Sequence, residues 1–132
     1  MKIRIVNSRD EIASLDPEER VVHLATPPIA LAFEELIKRC SQLEAIQVPP
    51  SRFRNVSKRS RALLEFQGVR IFEGLLCGYR TARAEYYTVD DGLILQRAAE
   101  LRAEGMDPEE LVAKVAGEAE VSPGLVEFIL GR

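Results

Sequence analysis

Four short apolar segments, spaced almost evenly along the chain, are the feature that most limits its fold. They are rich in β-branched residues and read KIRIV (2–6), VVHLA (21–25), EAIQV (44–48) and VRIFE (69–73). Each is too short for a helix and is bounded by turn-forming residues, so each is predicted to be a strand. Helical patterns fill the gaps between them, which indicates parallel strands joined by right-handed crossover helices.

The predicted fold class is α/β. A small parallel sheet of about four strands with crossover helices is expected over residues 1–88, followed by a three-helix C-terminal segment over residues 89–132. With the strands in sequential order, the linking helices lie on one face, so the C-terminal helices or a second subunit must cover the other. The even spacing also resembles leucine-rich repeats, but two periods without a Leu/Asn ladder are too few for a solenoid.

The predicted helices begin at recognisable cap residues. Ser57, Asp90 or Asp91, Asp107 before Pro108, and Ser122 before Pro123 are all residues that favour a helix start. Helical spacing places Ile29, Phe33, Leu36, Ile37 and Cys40 on one apolar face of the helix after Pro28. Leu63, Leu64 and Phe66 are expected to be partly buried on the helix after Ser57. The helix after Asp90 or Asp91 runs through Leu93, Ile94, Ala98 and Leu101, and the apolar face of the helix after Asp107 is formed by Leu111, Val112, Val115 and Ala116.

Composition excludes several classes of protein. The 132 residues are 46% apolar and 30% charged, as in a soluble globular domain. No apolar run approaches the roughly 20 residues of a membrane helix, and the N-terminus has no secretory signal pattern. With Cys40, Cys77 and one histidine, we expect no disulfide framework, no metal site and no cofactor. Two separate thiols favour a reducing compartment, so a cytoplasmic location is predicted.

A basic segment is the strongest functional signal. Between Pro49 and Leu64 the chain has no acidic residue and five cations, which are Arg52, Arg54, Lys58, Arg59 and Arg61. The segment follows a predicted strand and opens a predicted helix, where free backbone N–H groups favour anions. With Arg80, it is predicted to bind an anionic group; the alternative is a solvated helix face. The absence of glycine argues against a phosphate loop for nucleoside triphosphates.

A second cluster mixes aromatic and cationic residues. The stretch GLLCGYRTARAEYYTVDDG (74–92), predicted to be irregular or short-helical, contains Tyr79, Arg80, Arg83, Tyr86 and Tyr87. Such mixtures occur on surfaces that bind single-stranded nucleic acids or aromatic ligands. Because the stretch follows the fourth strand, it is expected to begin at the same sheet edge as the basic segment. The alternative is that the tyrosines pack against the sheet and the arginines remain solvated.

The remaining candidate chemical groups have simpler readings. His23, inside the second strand, is conceivable as a general base but is expected to be a core residue with a backbone hydrogen bond. Cys77 is a possible nucleophile only beside His23, and two strand spacings of roughly 10 Å separate the second and fourth strands. Asp90 and Asp91 are expected to cap a helix and not to bind a metal. No catalytic residue is predicted.

The C-terminal segment is acidic. Residues 88–132 carry a net charge of −6, against +3 for residues 1–87. The last helix has a wide apolar arc, which is predicted to contact a protein partner or a second copy through Leu125, Val126, Phe128, Ile129 and Leu130. The spacing resembles a helix-turn-helix, but the last helix offers only Glu127 and Arg132 as charged side chains. DNA binding through it is therefore not expected, and nucleic acid is not the predicted partner.

Two family resemblances arise from these motifs. Residues 38–74 are similar in rhythm to the flavodoxin-like substrate domain of D-2-hydroxyacid dehydrogenases, without its Gly-rich dinucleotide loop or its catalytic His, Arg and Glu. The whole chain resembles a small archaeal family of uncharacterised proteins with a KIRIV-type start, the LEAIQVP segment, a Gly-Tyr-Arg stretch with paired tyrosines and an EGMDPEEL…VSPGLV tail. The first resemblance implies fold only, and the second implies no catalytic residue.

The sequence thus predicts a non-enzymatic binding or regulatory protein. It has an anion-favouring basic segment and a helical tail that contacts a protein partner or a second copy. An enzyme that acts on a small anionic substrate, held by Arg52, Arg54, Lys58 and Arg80, is the alternative. Binding of single-stranded RNA is the third reading.

Overall fold

The fold is a mixed five-stranded sheet with helices on both faces. A computed structural model describes residues 1–76 and 85–131. The strands are β1 (Lys2–Val6), β2 (Val21–Leu24), β3 (Ala45–Val48), β4 (Arg70–Glu73) and β5 (Tyr86–Thr88), in the spatial order β4-β3-β2-β1-β5. β1 to β4 are parallel, and β5 runs antiparallel to β1. The α/β class, the sequential parallel order and the three C-terminal helices were predicted correctly.

The helices complete the two faces. A 3₁₀ helix (Arg9–Ser14), α1 (Ala30–Arg39), α2 (Pro50–Phe53) and α3 (Lys58–Phe66) link the parallel strands. α4 (Asp91–Ala103), α5 (Pro108–Ala119) and α6 (Pro123–Gly131) form the C-terminal segment. Three predicted caps are confirmed: Ser57, Asp90 and Asp107 accept a hydrogen bond from a backbone N–H in the first turn of α3, α4 and α5.

Each face of the sheet has its own apolar core. All four residues of both β2 and β3 are buried, as expected for central strands of a covered parallel sheet. Val22 and Ile46 face the core beneath the 3₁₀ helix, α1 and α3. Val21 and Ala45 face the core shared with α4, α5 and α6. The C-terminal helices therefore cover the second face of the sheet within the same chain.

β5 corrects the sequence-based expectation of about four strands. Residues 86–88, placed in an irregular or short-helical stretch, instead pair with residues 2–4 of β1. The backbone N–H of Ile5 donates to the carbonyl of Glu85, and that of Val89 donates to Met1. The error has a physical reason. A strand of three residues is too short to show an alternating apolar pattern, and its partner lies more than 80 positions away in the sequence.

Three apolar side chains within the predicted helical patterns are exposed, including Phe66, which was expected to be partly buried. Ile29 precedes the first residue of α1, so it is not part of the buried face of that helix, which includes Phe33 and Leu36. Phe66 is the last residue of α3, and Leu93 lies in the first turn of α4, and both are largely exposed. Ile29 and Leu93 lie at the starts of their helices, whereas Phe66 lies two residues after the buried Leu64 and therefore on the opposite side of α3.

Candidate functional site at the carboxyl edge of the sheet

The basic segment (residues 52–61) lies where the parallel strands end. β3 ends at Val48, α2 starts at Pro50, and α3 begins at Lys58 after the Ser57 cap. The segment therefore follows the carboxyl end of β3 directly, as the sequence predicted. In open α/β sheets this edge is where ligands are held.

Four cations of this segment have no ionic partner among the described residues. Arg54, Lys58 and Arg59 are exposed and Arg52 is half-buried. The ion pairs of the described chain involve none of them. These four positive charges are therefore not neutralised by any carboxylate within residues 1–76 and 85–131.

Arg61 has a structural role that separates it from the other four. Its guanidinium carbon lies 4.3 Å from the centre of the Phe53 ring, and its Nη2 donates a 3.1 Å hydrogen bond to the Phe53 carbonyl. These contacts join the end of α2 to the first turns of α3 and account for the Arg61 side chain being half-buried. The two short helices that carry the basic segment are thus held together by one of its own members.

The start of α3 is electrostatically unusual. Its first turn contains Lys58 and Arg59 and no acidic residue. Cations at a helix N-terminus repel the positive end of the helix dipole and the unpaired N–H groups there. An anion bound at this place would interact favourably with the dipole and with both side chains.

The structure does not join the paired tyrosines to the basic segment. Arg80, with Cys77, Tyr79 and Arg83, lies outside the described residues. Tyr86 and Tyr87 lie on β5, three strands from β3, which is roughly 14 Å at normal strand spacing. The Tyr86 hydroxyl donates a 2.7 Å hydrogen bond to Glu19, which raises the pKa of Tyr86, and the ring lies beneath Lys2 and Arg4. Its ring is already paired with cations of its own chain.

A buried polar chain connects the sheet to the C-terminal helices. His23 and Gln47 are register partners on β2 and β3, so their side chains leave the sheet on the same face. The Nδ1 of His23 donates to the Oε1 of Gln47 at 2.8 Å, and the Nε2 of Gln47 donates to the Oγ of Ser122 at 2.9 Å. Burial lowers the pKa of His23, and the bond to Gln47 opposes this only in part.

Sequence reasoning found one member of this polar chain and missed two. His23 is a core residue as predicted, but its partner is the Gln47 side chain and not a backbone group. α6 begins at Pro123 directly after Ser122, as predicted, but the bond that the Ser122 hydroxyl accepts from Gln47 was not anticipated. A polar Gln47 inside the otherwise apolar β3 is the one local signal that could have indicated a buried hydrogen-bond partner.

Two glycines let α6 lie directly against the carboxyl end of the sheet. A Cβ atom on Gly74 would overlap the amide of Gln47 and the hydroxyl of Ser122. A Cβ atom on Gly124 would lie 2.8 Å from the carbonyl oxygen of Glu73. Neither site has room for a larger residue, so the contact between α6 and β4 is close-packed.

α6 is occupied by contacts within its own chain. Four of the five side chains predicted to contact a partner are at most 2% exposed, and Leu130 packs against the same core. The rings of Phe128 and Phe72 stack with their centres 5.8 Å apart, and the guanidinium carbon of Arg70 lies over the Phe128 ring, 5.4 Å from its centre. These side chains form the cover of the sheet, and the predicted protein partner stays a prediction that needs a different surface.

The other candidate groups have ordinary structural roles. Asp90 accepts the N–H of Leu93, and no group of three His, Cys, Asp or Glu side chains among the described residues is arranged to hold a metal ion. Within the described part of the chain, no helix is long and apolar enough to span a membrane.

Comparison with protein-family sequence models gives two matches. Residues 2–85 match the N-terminal domain of a family of unknown function, DUF1699, and residues 94–131 match the C-terminal HTH domain of the same family. The chain belongs to the DUF1699 family. The resemblance to a family of uncharacterised proteins is thereby confirmed. No curated protein and no solved structure matches the chain, so the partial similarity to dehydrogenase substrate domains stays an expectation.

The match to the C-terminal HTH domain covers most of α4 and all of α5 and α6. Glu120 has a left-handed backbone, with φ of 56°, and ends α5 before the turn to Pro123. In DNA-binding proteins of this class, the second helix presents side chains to base edges in the major groove. Here α6 is largely buried against the sheet and the other helices, and Glu127 is its one charged side chain among the described residues. The described surface of α6 therefore lacks the cations that phosphate contact requires.

Proposed function

We propose that this DUF1699 protein is a binding protein that holds an anionic group on its basic segment. The observation that carries the proposal is the set of four cations without a described carboxylate partner at the carboxyl edge of the sheet. Charged side chains at protein surfaces are commonly balanced by the opposite sign, and here a ligand would supply it.

The chemistry of the segment suits phosphate or carboxylate groups. Arginine presents planar pairs of N–H donors that match two oxygens of either group, and the segment has two exposed arginines, Arg54 and Arg59. Exposed Ser51 and Asn55 add neutral donors in the same stretch. The first turn of α3 contributes backbone N–H groups beside Lys58.

A nucleic acid is the second candidate, and the description of the C-terminal match favours it. The geometry of α6 argues against base reading by that helix, and the first turn of α5 is acidic through Glu109 and Glu110. Phosphates of a nucleic acid would instead contact the basic segment, where the charge is positive. Such binding would depend on salt and not on base sequence.

The experiment compares one double variant with a charge-matched control. Binding of inorganic phosphate, single-stranded RNA and duplex DNA is measured by calorimetry and fluorescence anisotropy. Arg54→Ala with Arg59→Ala removes two exposed cations of the segment, and Arg102→Ala with Lys114→Ala removes two exposed cations from the C-terminal helices. Charge-assisted hydrogen bonds of about 1.5–3 kcal/mol each predict at least a tenfold loss of affinity for the first variant only.

Three outcomes separate the readings. A loss confined to the Arg54/Arg59 variant supports the proposal, and the ligand that shows it identifies the class of anion. Equal losses in both double variants would show only attraction by total charge. No measurable binding of any of the three probes by the unaltered protein contradicts an anion site at this edge.

A further inference from the structure

Phe66 is the most exposed large apolar residue of the described chain. It is 87% exposed, whereas the other exposed large apolar residues range from 42% to 61%. Among the described residues, no ring–ring or cation–π contact involves its phenyl ring. Nearly the whole ring is therefore accessible to a ligand.

The ring lies on the same face of α3 as two cations of the basic segment. Arg59 and Phe66 are seven positions apart, which at about 100° per residue places them within about 20° of each other around the helix axis. Exposed Ala62 lies between them, and exposed Lys58 lies at the margin of this face. The buried Leu64 points the opposite way. This outer face of α3, formed by Lys58, Arg59, Ala62 and Phe66, carries two cations at its start and an aromatic ring about 10 Å further along.

The one acidic residue of α3 lies to the side of Phe66. Glu65 is about 100° from Phe66 around the axis, and with Arg61 it lines a hollow on that side of the helix. It forms no ion pair with Lys58 or Arg59. The two cations of the outer face are therefore not neutralised by an acid of their own helix.

We propose that the outer face of α3 binds single-stranded nucleic acid, with Phe66 stacking on a base and with Lys58 and Arg59 contacting phosphates. The inference rests on the anion site proposed above and names the class of its ligand. Proteins that bind single strands combine cations that follow the backbone with aromatic side chains on which bases stack. A base that stacks on a side chain must be unstacked from its neighbours, which a single strand allows and a regular duplex does not.

Other anionic ligands use only part of this face. Inorganic phosphate or a small carboxylate has no ring to place against Phe66. A membrane surface attracts cations and aromatic residues, but a helix that lies in a membrane interface needs a broad apolar face. The outer face of α3 has one large apolar side chain, and the opposite side of the helix is buried in the protein. A single strand is the ligand that engages both the cations and the ring.

The test compares a single strand with a duplex. Fluorescence anisotropy measures the affinity of the full chain for a labelled adenylate oligomer and for the same oligomer annealed to its uridylate complement, and calorimetry measures inorganic phosphate. Phe66→Ala should weaken single-strand binding by roughly fivefold to a hundredfold, as expected for loss of one base–aromatic stack, and should leave duplex and phosphate affinities unchanged. Leu93→Ala is the matched control, since Leu93 is 61% exposed and lies on α4. Both variants should keep the far-ultraviolet circular dichroism of the unaltered protein, because both residues are exposed.

Further substitutions of Phe66 separate stacking from apolar contact. Phe66→Tyr keeps a ring and should bind the single strand as the unaltered protein does, whereas Phe66→Leu should lose as much affinity as Phe66→Ala. The chain has no tryptophan, so Phe66→Trp introduces a single indole. Its fluorescence should be quenched when the single strand is added and a base stacks on it, and inorganic phosphate should leave it unchanged.

Failure of this inference is distinct from failure of the anion site. Binding that depends on Arg54 and Arg59 but not on Phe66 would overturn the stacking role and leave the anion site standing. No binding of any of these probes would overturn both. Equal losses in Phe66→Ala and Leu93→Ala would overturn the inference, and so would binding to phosphatidylglycerol vesicles that depends on Phe66 more strongly than binding to the single strand does.

Discussion

Replacing Gln47 by leucine tests how strongly the buried polar chain joins the sheet to the C-terminal helices. Gln47 is fully buried, with its oxygen held by His23 at 2.8 Å and its nitrogen donating to Ser122 at 2.9 Å. Leucine keeps most of the volume but removes both hydrogen-bonding atoms. The change therefore isolates the polar contribution from packing.

The magnitude follows from what each partner loses. The Nδ1–H of His23, whose side chain is 5% exposed, would be left without an acceptor, which costs about 1–3 kcal/mol. Ser122 is half-buried, so its hydroxyl can form a hydrogen bond with water instead, and losing the bond from Gln47 costs less, about 0.5–1 kcal/mol. We expect Gln47→Leu to lower the free energy of unfolding by about 1.5–4 kcal/mol, a large part of the roughly 5–15 kcal/mol typical of a domain.

A double-mutant cycle shows whether the loss comes from the polar chain. Ser122→Ala alone should cost about 1–2 kcal/mol, since it leaves a buried N–H of Gln47 without an acceptor. Once Gln47 is leucine, Ser122→Ala should cost less, with a coupling of about 1 kcal/mol between the two changes. Urea unfolding followed by circular dichroism measures all four proteins, and Gln96→Leu, at an exposed glutamine on α4, is the control. Additive effects of the two changes, or a Gln47→Leu protein as stable as the control, would refute this reasoning.

Three further expectations concern titration, thiol reactivity and cooperativity. Burial lowers the pKa of His23 below its usual 6.5, so the unfolded chain binds the proton more readily than the folded chain does. The free energy of unfolding should therefore be highest above pH 6.5 and should fall as the pH drops below that value. Urea unfolding at several pH values measures this pH dependence, which should be weaker in His23→Gln. Burial, aided by Glu19, raises the pKa of Cys40 to about 11, so in a Cys77→Ser protein its modification by a disulfide reagent at neutral pH should be no faster than unfolding. Because one core joins the strands to α4–α6, tyrosine fluorescence and circular dichroism should report a single coincident unfolding transition, and two separate transitions would contradict a shared core.

Local patterns predicted the parts of the fold that depend on neighbours in sequence. The caps at Ser57, Asp90 and Asp107 were recognisable because each acts on a backbone N–H only two or three residues away. The four parallel strands were recognisable because central strands covered on both faces are continuous apolar runs. Both features can be recognised from a few consecutive residues.

The parts that the sequence did not reveal depend on distant contacts. The bond from Gln47 to Ser122 joins residues 75 positions apart, and β5 pairs residues at opposite ends of the sheet domain. Of the candidate anion site, the sequence located the basic segment, but the role of Arg61 in holding α2 to α3 required the position of Phe53.

The topology of the sheet explains why a helix-turn-helix can lie here without presenting its second helix. Right-handed crossovers between sequential parallel strands place every linking helix on one face, which leaves the opposite face apolar and uncovered. α6 is apolar nearly all round and follows α5 at a turn, so it can lie across that face while α4 and α5 complete the core. Gly74 and Gly124 then fix how closely it approaches, and Ser122 fixes its register through Gln47. A helix held on a sheet by its apolar residues cannot at the same time present them in a DNA groove. In this arrangement α6 contributes to the fold, and the exposed charges of the basic segment are left for a ligand.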